Sequence, residues 1–431
     1  MIRRFLGRLR RAARASIVPR FPRLSRLRQP VADLLTILRE VARTIRRRPS
    51  RHRPGTLVRL RIGIDIRPFY EPLTGVGWYL QHLLHALSRR SDVDLILFGD
   101  PFVTDEGPHL HASLPANASV TGFDFRGRNH SRFARRLARL AYPALALIER
   151  CDLFFGANFF LPRSLSSIAR RRVVTVHDLT FKVFPEMLQT ETLFNLSREM
   201  ERELFRCDAV ICVSEATRSD LLRFFDLAPG KAVAVLSGLE PLPTTLVDLD
   251  LPDDYLLFVS TIEPRKNLGV LLEAYETLRR HQAYQGDLVV VGKVGWKSAE
   301  VMERLARSPW SRSIHRLDYL NREQLAAVYR KCRIFVLPSH YEGFGFPILE
   351  AMSAGAPVIA ARRSSLPEIG GDAALYFDPD DAAQLAEAIR TLINDETLRQ
   401  RLTQAGKIRA ASFSWDATAE QTMVVFRRAA Q

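Results

Sequence analysis

Short apolar runs alternate with amphipathic stretches along residues 61–430, and this alternation predicts strands and helices in turn. The apolar runs predict strands at Arg61–Ile66, Val93–Phe98, Leu153–Gly156, Val173–Val176, Ala209–Val213, Tyr255–Val259, Leu288–Val291, Arg316–Leu317, Ile334–Leu337, Val358–Ala361 and Leu375–Phe377. Helical periodicity predicts helices after Gly77, over residues 190–206, 215–225, 267–280, 322–331, 347–354, 381–394 and 397–410, and from Trp415 to Ala430. Strands that alternate with helices are typical of a parallel sheet covered on both faces, which predicts an α/β fold.

The stretch from Gly238 to Asp254 is rich in turn residues and separates two series of strands and helices. It predicts an N-terminal domain over residues 61–240 and a C-terminal domain over residues 241–412. The last helix, residues 413–431, forms a further segment, and residues 1–60 precede both domains as an arm. In such sheets ligands bind beyond the carboxyl ends of the strands, so the segments that follow strands are the places to search for chemistry.

Composition agrees with a two-domain globular enzyme. The chain has 431 residues, of which 47% are hydrophobic and 26% charged, enough for a sizeable core. Ala141–Ile148 is among the longest apolar runs and is too short to span a membrane. The four cysteines lack metal-ligand spacing and are predicted to be buried free thiols in a reducing compartment.

The positive charge is concentrated in the arm. Residues 1–60 contain eighteen arginines, no lysine and two acids, so their formal charge of +16 equals that of the whole chain. Apolar residues recur at helical spacing between the arginines, at Ile2, Phe5, Leu6, Leu9 and Ala13 and again at Val31, Leu34, Leu35, Leu38, Val41 and Ile45. Basic amphipathic helices bind the headgroups of anionic membranes, so residues 1–48 are predicted to contact such a surface.

Three other interpretations of the arm stay open: a disordered basic tail, a nucleic-acid-binding arm and a transit peptide. We expect no nucleic acid as a partner, because the arm lacks interleaved stacking aromatics and no nucleic-acid-binding fold follows it. A secretory signal is not indicated, since no long apolar core follows the charges.

The most informative segment is Tyr341–Met352, which follows the strand predicted at Ile334–Leu337. It carries two glutamates, Glu342 and Glu350, eight positions apart. The glycine-rich loop between them leads into a helix that starts near Pro347, and free amides at a helix N-terminus favour a phosphate. Two acids beside a phosphate site suggest that they bind hydroxyl groups, and a sugar nucleotide has both phosphates and hydroxyls.

Two segments of the first half also follow strands. Gly75 and Gly77 lie between a strand and a helix, where the missing side chains let the backbone approach an anion. Their spacing lacks the third glycine of the dinucleotide fingerprint, which counts against a nicotinamide enzyme. His177 ends a buried strand and is predicted either to bind or deprotonate a sugar hydroxyl or to be a structural histidine capped by Asp178.

The second half contains two more segments of this kind. Arg265 and Lys266 follow its first strand. The guanidinium group of Arg265 can form paired hydrogen bonds to a diphosphate, and the ammonium group of Lys266 adds a positive charge. Adjacent cations on a loop are usually only solvated, but their position between a strand and a helix favours a function. Residues 378–381, with three aspartates, are predicted to form a turn with a helix cap, and no metal site is expected.

Together these segments resemble family 4 of the glycosyltransferases, retaining enzymes of the GT-B fold that use nucleotide sugars. The resemblance covers residues 61–430 and rests on four motifs in order: Gly75-Val76-Gly77, His177-Asp178, Glu263-Pro264-Arg265-Lys266-Asn267, and Glu342 with Glu350. Bacterial enzymes that add mannose or related sugars during O-antigen or exopolysaccharide assembly are similar in style. The resemblance implies two Rossmann-like domains that face a cleft, with the donor nucleotide bound by the C-terminal one.

The resemblance also implies roles for single residues. Glu342 and His177 are the predicted catalytic residues, next to the donor sugar. The predicted donor-binding residues are Gly75, Gly77, Arg265, Lys266, Gly343, Phe344, Gly345, Phe346, Pro347, Ile348 and Glu350. Among them Glu350 would bind the ribose hydroxyls, and Arg265 and Lys266 would neutralise the diphosphate. No metal and no cofactor other than the donor substrate is implied, and no protein nucleophile is assigned.

We therefore expect transfer of a hexose, with mannose as the candidate, from a nucleotide diphosphate sugar to a glycan or lipid-linked acceptor. Retention of anomeric configuration, a role in cell-surface polysaccharide synthesis and a peripheral position on the cytoplasmic face of the cell membrane complete the expectation. Two alternatives are a GT-B epimerase of a UDP-sugar and a degenerate, membrane-recruited scaffold. The epimerase would need acid and base carboxylates at the sugar carbon, and the intact polar motifs argue against a degenerate scaffold.

Overall fold

The computed structural model describes residues 28–46, 59–103, 110–124, 132–187, 190–245 and 247–431. The helices are α1 (Arg28–Arg46), α2 (Gly75–Ser88), α3 (Arg132–Glu149), α4 (Arg163–Ser166), α5 (Thr180–Val183), α6 (Thr190–Arg206), α7 (Glu215–Phe224), α8 (Leu268–Arg280), α9 (Ala299–Arg307), α10 (Arg322–Lys331), α11 (Phe346–Ala354), α12 (Leu366–Gly370), α13 (Ala382–Asn394), α14 (Glu396–Ala411) and α15 (Trp415–Ala430). The strands are β1 (Leu60–Asp65), β2 (Val93–Val103), β3 (Ser119–Asp124), β4 (Leu153–Gly156), β5 (Arg172–Val176), β6 (Ala209–Cys212), β7 (Ala232–Ala234), β8 (Tyr255–Val259), β9 (Asp287–Val291), β10 (Ile314–Leu317), β11 (Ile334–Leu337), β12 (Val358–Ala361) and β13 (Ala374–Phe377).

The strands form two parallel sheets flanked by helices, which confirms the predicted α/β class. The first sheet has the order β3-β2-β1-β4-β5-β6-β7 and the second the order β10-β9-β8-β11-β12-β13. In the second sheet Leu257 of β8 pairs with Val289 of β9 on one side and with Phe335 of β11 on the other. Successive strands are therefore added first on one side of β8 and then on the other, and the order reverses between β8 and β11.

The chain divides into two compact units, each with a buried core. The first unit contains β1 to β4, and the second contains residues 158–160 and 174–428. The core of the first unit includes Phe98, Tyr142 and Phe154, and a core of the second unit includes Met200 and Leu204. The predicted domain boundary at residues 240–241 falls between β7 and β8 along the chain and stays a prediction.

The apolar runs predicted the central strands well and missed the two edge strands of the first sheet. Every predicted strand is present, with ends that differ by a few residues at most in all but β2, which continues to Val103. The strands β3 and β7 were not predicted, and both lie at the edges of the first sheet. An edge strand has fewer buried positions and therefore no continuous apolar run; Val120 of β3, for example, is 54% exposed. Helices α3 and α9 were also missed.

Helix α1 corrects part of the expectation for the arm. The periodic apolar residues do form a helix, but its apolar side packs on the first unit, where Leu35 and Ile37 are buried and Val41 packs against the same core as Tyr142. This side of α1 is therefore not available to a membrane. The remaining arm residues, 1–27 and 47–58, lie outside the described residues. No helix in the described part of the chain is long and apolar enough to cross a membrane.

Candidate functional site

Two loops of the second sheet bring the predicted donor-site residues together. Residues 263–267 follow β8, and residues 339–345 follow β11. These strands are neighbours at the point where the strand order reverses, and the carboxyl ends of parallel strands lie at one edge of a sheet. Open α/β sheets bind ligands at this position.

Glu342 is hydrogen-bonded at both carboxylate oxygens. Its Oε1 accepts hydrogen bonds from Lys266 Nζ at 2.6 Å and from Ser339 Oγ at 2.8 Å. Its Oε2 accepts a hydrogen bond from Arg265 Nη1 at 3.1 Å. Glu342 is 8% exposed, so these bonds form in a site that is largely closed to water.

The guanidinium of Arg265 is fixed by three oxygen atoms. In addition to Glu342, its Nη1 donates to the backbone carbonyl of Tyr341 at 2.6 Å, and its Nη2 donates to Glu263 Oε1 at 2.7 Å. The short 3₁₀ turn Pro264–Lys266 places Arg265 and Lys266 in this cluster, and Asn267 closes the turn with φ at 55°. The side-chain amide of Asn267 donates to the carbonyls of Pro338 and Pro379, which ties the turn to the loop after β11.

The charges of this cluster determine its protonation. Burial opposes ionisation of Glu342, but the positive charges of Lys266 and Arg265 lower its pKa to about 2. Burial and the Arg265 guanidinium lower the pKa of Lys266, while the Glu342 carboxylate opposes that shift. Two carboxylates, Glu342 and Glu263, thus face two cations in this structure, and a bound diphosphate would compete with the carboxylates for Arg265 and Lys266.

Glu350 lies one turn inside α11, as predicted, and has a different environment from Glu342. Its Oε2 accepts a hydrogen bond from the hydroxyl of Tyr329 at 3.0 Å. Burial raises the pKa of Glu350, and the Tyr329 hydroxyl and the charge of Arg322 oppose the shift. The residue is half-buried and no Lys or Arg side chain donates a hydrogen bond to it among the described residues, so its other oxygen can accept bonds from ligand hydroxyls.

The loop of Gly343–Gly345 packs directly on the segment after β5. A Cβ atom at Gly343 would collide with the carbonyl oxygen of His177, so only glycine allows this approach. The carbonyl of Gly343 accepts hydrogen bonds from the hydroxyls of Ser214 at 2.6 Å and Thr217 at 3.1 Å. The loop is held in turn by Ser365, whose hydroxyl donates to the carbonyls of Glu342 and Phe344.

The start of α11 presents fewer free amides than the sequence suggests. Gly345 has φ at 112° and precedes the first helical residue, Phe346. Pro347 has no N–H, and the amide of Ile348 donates to the carbonyl of Gly345 at 3.1 Å. Among Phe346, Pro347 and Ile348, Phe346 therefore has the backbone amide that is suited to bind a phosphate.

His177 follows β5 and therefore lies at the edge of the first sheet that is formed by the carboxyl ends of its strands. Its ring lies edge-on to Phe159, with 5.9 Å between the ring centroids. Asp178 accepts a hydrogen bond from the amide of Thr180 at 3.0 Å, so it caps the turn that follows the strand. The contact between the backbone of His177 and Gly343 places this histidine beside the glutamate loop.

Gly75 and Gly77 begin helix α2 in the first unit. Gly75 is exposed, and a Cβ atom there would meet no atom within 4 Å. Gly77 is buried and a Cβ atom would press on the side chain of Leu73 at 2.8 Å. Gly77 thus has a packing reason to be glycine, whereas Gly75 has open space in front of it.

Comparison with known proteins identifies the family. The model of "Glycosyltransferase Family 4" matches residues 73–241, and that of "Glycosyl transferases group 1" matches residues 219–409. The O-antigen chain mannosyltransferase B of Escherichia coli is 31% identical over 395 residues, which cover 85% of this chain and 100% of that protein. The chain belongs to glycosyltransferase family 4.

Solved structures agree with this assignment at the level of the fold. Sucrose-phosphate synthase from Thermosynechococcus elongatus has a TM-score of 0.67 at 21% identity and covers 86% of this chain and 99% of its own. Anabaena HepE in complex with UDP-glucose has a TM-score of 0.60 at 16% identity and covers 86% of this chain and 100% of its own. The glycosyltransferase therefore has the GT-B fold, as the resemblance implied.

The structure adds residues to the glycosyltransferase site that sequence reasoning missed. Ser339 and Ser365 are fully buried and hydrogen-bonded to Glu342, and the Tyr329 hydroxyl is bonded to Glu350. Ser339 follows β11 by two positions and could have been found from that signal. Tyr329 precedes Glu350 by 21 residues and sits in a different helix, so no local pattern connects them.

Two remaining expectations concern metals and thiols. Asp381 caps α13 by accepting a hydrogen bond from the Gln384 amide, which confirms the predicted turn and cap. Among the described residues no three His, Cys, Asp or Glu side chains are grouped to hold a metal ion, and the expectation of a site without metal stays a prediction. Cys207, Cys212 and Cys332 are free and buried as predicted, whereas Cys151 is half-buried.

Proposed function

We propose that this glycosyltransferase moves mannose from a nucleotide diphosphate mannose to a glycan acceptor, with retention of configuration, during synthesis of a cell-surface polysaccharide. One observation carries the proposal: the similarity to the O-antigen chain mannosyltransferase B of Escherichia coli extends over the whole length of that protein. The nature of the sugar and of the acceptor class is taken from this relative.

The charge cluster supports the use of a nucleotide diphosphate donor. The half-buried Arg265 and the buried Lys266 lie at the strand-order reversal and are already oriented by Glu263 and Glu342. A diphosphate is a strong partner for a guanidinium fork and an adjacent ammonium group. HepE, which shares the fold, was solved with UDP-glucose, and this supports a nucleotide-sugar donor for the present chain.

The reaction we propose has no protein nucleophile. Both oxygens of Glu342 accept hydrogen bonds from charged or hydroxyl donors, and a carboxylate with a pKa of about 2 is a weak base. The acceptor hydroxyl attacks the anomeric carbon from the side of the leaving group, the bond to the nucleotide diphosphate breaks, and the leaving phosphate takes the proton. Arg265 and Lys266 stabilise the charge on the departing diphosphate, and we propose no metal or cofactor in addition to the donor.

The proposed role of Glu342 is to hold the two cations and to contact the donor sugar when the diphosphate binds. Glu350 is proposed to accept hydrogen bonds from the ribose hydroxyls, because only its Oε2 is bonded to Tyr329 and its Oε1 accepts no hydrogen bond from a described residue. His177 is proposed to lie near the sugar hydroxyls, beside Gly343. Gly75 and Gly77 are proposed to approach the diphosphate from helix α2.

The proposed location is the cytoplasmic face of the cell membrane, where a lipid-linked acceptor would be available. Residues 1–27 contain nine arginines and no acid, which supports attraction to anionic lipids. This is the part of the arm on which the membrane proposal now rests, since the apolar side of α1 packs on the protein.

The first experiment is thermal stabilisation of the purified full chain by a panel of nucleotide sugars, because a ligand that binds only the folded state raises Tm. We expect a nucleotide diphosphate mannose to raise Tm more than nucleotide sugars that carry glucose or N-acetylglucosamine on other bases. Incubation of that donor with a mannose-terminated acceptor should then give a product with retained anomeric configuration, read by NMR.

Selective stabilisation and transfer with a non-mannose donor would contradict the proposed sugar. Conversion of the donor to an isomeric nucleotide sugar would instead support the epimerase, and binding without any turnover the scaffold.

A further inference from the structure

Helix α3 exposes large apolar side chains on its outer side. Leu140 is 78% exposed and Leu147 is 57% exposed, and residues seven positions apart lie on one face of a helix two turns apart. Ala144 is also exposed between them, and Pro143 is half-buried. The outer side of α3 therefore carries a continuous apolar stripe about two turns long.

The inner side of the same helix is anchored in the core of the first unit. Ala138, Tyr142, Leu145 and Ala146 are each at most 2% exposed and belong to one core cluster. The Tyr142 hydroxyl also donates to the carbonyl of Gly99 at 3.2 Å. The leucines are therefore held at the surface by a well-packed helix.

The apolar stripe is flanked by unpaired positive charge. Arg136, Arg139 and Arg150 are exposed, and none of them forms an ion pair with any described residue. The acid at the end of the helix, Glu149, is instead bound to Arg61, with 3.0 Å between Nη2 and Oε2. The surface made by Arg136, Arg139, Leu140, Ala144, Leu147 and Arg150, called the α3 face below, thus has an apolar stripe with arginines along one side and beyond its ends.

The arginine-rich residues 1–27 are joined in sequence to a helix that contacts α3. Helix α1 packs against α3, and residues 1–27 precede α1 directly in the chain. The nine arginines of residues 1–27 are therefore tethered to the same unit that presents the α3 face.

We propose that the α3 face binds an anionic lipid surface, with Leu140 and Leu147 inserted at the headgroup boundary and the arginines on lipid phosphates. Interfacial helices combine an apolar stripe with flanking Arg or Lys in this way. A second copy of the chain fits less well, because each face would add three exposed arginines of like charge to the contact. The purpose of this surface, access to a lipid-linked acceptor, rests on the proposed function, but lipid binding can be measured without any transfer.

The test compares full-length variants in co-sedimentation with vesicles of phosphatidylcholine containing phosphatidylglycerol. In the double variant Leu140→Gln and Leu147→Gln we expect vesicle affinity to fall at least about tenfold, because two inserted leucines are lost. The loss should persist in about 0.5 M salt, where the contribution of the arm is screened. The matched control is Ile408→Gln with Val424→Gln, two residues of the second unit that are 66% and 59% exposed. The control should bind as the parent chain does.

A second double variant tests whether the arginines of the α3 face contribute to vesicle binding. Arg136→Glu with Arg139→Glu should weaken binding strongly at low salt and should bind vesicles of pure phosphatidylcholine no worse than the parent chain. None of these side chains is buried, so Tm and donor hydrolysis without lipid should be unchanged in every variant. A failure of the lipid proposal is thereby separated from a failure of the proposed reaction, which would appear as missing hydrolysis in the parent chain.

Tryptophan fluorescence tests directly whether position 140 enters the lipid. The fluorescence of Leu140→Trp should be quenched by brominated lipids, and that of the control Ile408→Trp should not. Equal vesicle affinity of the parent chain and the double leucine variant in high salt would overturn the proposal. So would light scattering without lipid that shows a dimer of the parent chain and a monomer of the leucine variant, since the α3 face would then be an interface between copies.

Discussion

Glu342 illustrates how one side chain organises the charges of the site. Its carboxylate accepts hydrogen bonds from residues of two loops, Lys266 and Arg265 after β8 and Ser339 after β11. Removal of this carboxylate would leave two neighbouring cations in a buried position. The residue therefore contributes both to the electrostatics of the reaction and to the stability of the second unit.

Glu342→Gln should lower turnover by about 100-fold, since the two cations would lose the group that orients them. The same change should lower the free energy of unfolding by about 3 kcal/mol, because it breaks a buried ion pair. Steady-state kinetics and thermal unfolding measure the two effects. The matched control is Glu350→Gln, which removes a carboxylate bonded to a neutral hydroxyl and should leave Tm close to that of the parent chain.

The stabilising effect of Glu342 should also depend on pH in a defined window. Its pKa is lowered from 4.5 to about 2, so the ionised form is favoured in the folded state. The stability that it contributes is fully present above pH 4.5 and is lost as pH falls towards 2. The difference in unfolding free energy between the parent chain and Glu342→Gln should thus be constant from about pH 5 to 8. A difference that grows as pH falls below 4.5 would contradict the ion-pair description.

The pKa of Glu350 shifts in the opposite direction to that of Glu342, and this shift should make nucleotide binding depend on pH. Burial raises its pKa, so it becomes protonated at a higher pH than an ordinary glutamate. If its carboxylate accepts hydrogen bonds from ribose, nucleotide affinity should fall on acidification through that raised pKa. Calorimetric titration with the donor nucleotide from pH 7 to 4.5 measures the effect, and in Glu350→Gln this pH dependence should disappear.

The glycine loop after β11 is the element that depends most on close backbone contact. Gly343 touches the carbonyl of His177, and its own carbonyl is held by Ser214 and Thr217 at the start of α7. A loop fixed in this manner keeps Glu342 and the first turn of α11 in place. Its conformation therefore depends on residues more than 120 positions earlier in the chain.

Gly343→Ala should lower both Tm and turnover, because the new methyl group would push the loop away from the segment after β5. Thermal unfolding and a donor hydrolysis assay measure the two quantities. Gly75→Ala is the matched comparison, since a Cβ atom there meets no neighbour and Tm should not change. A normal affinity for the donor in Gly75→Ala would remove Gly75 from the proposed donor site.

Among the secondary-structure elements, the sequence predicts best the strands that are buried on both faces. The strands β8, β11 and β12 were predicted with their observed ends because their apolar runs lie in the middle of a sheet. The edge strand β3 and helix α3 were missed because their exposed positions interrupt the pattern. In α3, apolar residues lie on the exposed side as well as on the buried side, so Ala141–Ile148 forms a continuous apolar run without a helical period.

For the whole molecule, the arm has two parts with different physical roles. Helix α1 completes the core of the first unit, where Asp33 is 2% exposed and Ile37 is 3% exposed. Residues 1–27 carry a large share of the net charge without belonging to the described fold. Truncated proteins should therefore differ in Tm according to whether they retain α1.

Removal of residues 1–27 should leave Tm and donor hydrolysis unchanged and weaken binding to anionic vesicles at low salt. Removal of residues 1–56 should in addition lower Tm, because Tyr142 and Leu145 would lose the apolar cover of α1. Thermal unfolding and vesicle co-sedimentation distinguish the two effects. Equal Tm in both truncated proteins would show that α1 contributes nothing to the core.

The sequence by itself determined the α/β class, the central strands and the positions of the chemistry. Apolar runs report burial on both faces of a strand, and polar motifs that follow such runs lie at the ligand-binding edge of a parallel sheet. Arg265, Lys266, Glu342 and Glu350 were identified in this way.

Only the tertiary structure decided which of these residues touch and which surfaces are left exposed. The bonds of Glu342 to Lys266 and of Glu350 to Tyr329 join segments distant in sequence, so no local period encodes them. The same reason explains the two amphipathic helices α1 and α3. A hydrophobic period shows that a helix has an apolar side, but only packing decides which apolar residues are buried. The apolar side of α1 is covered by the first unit, whereas α3 leaves Leu140 and Leu147 exposed.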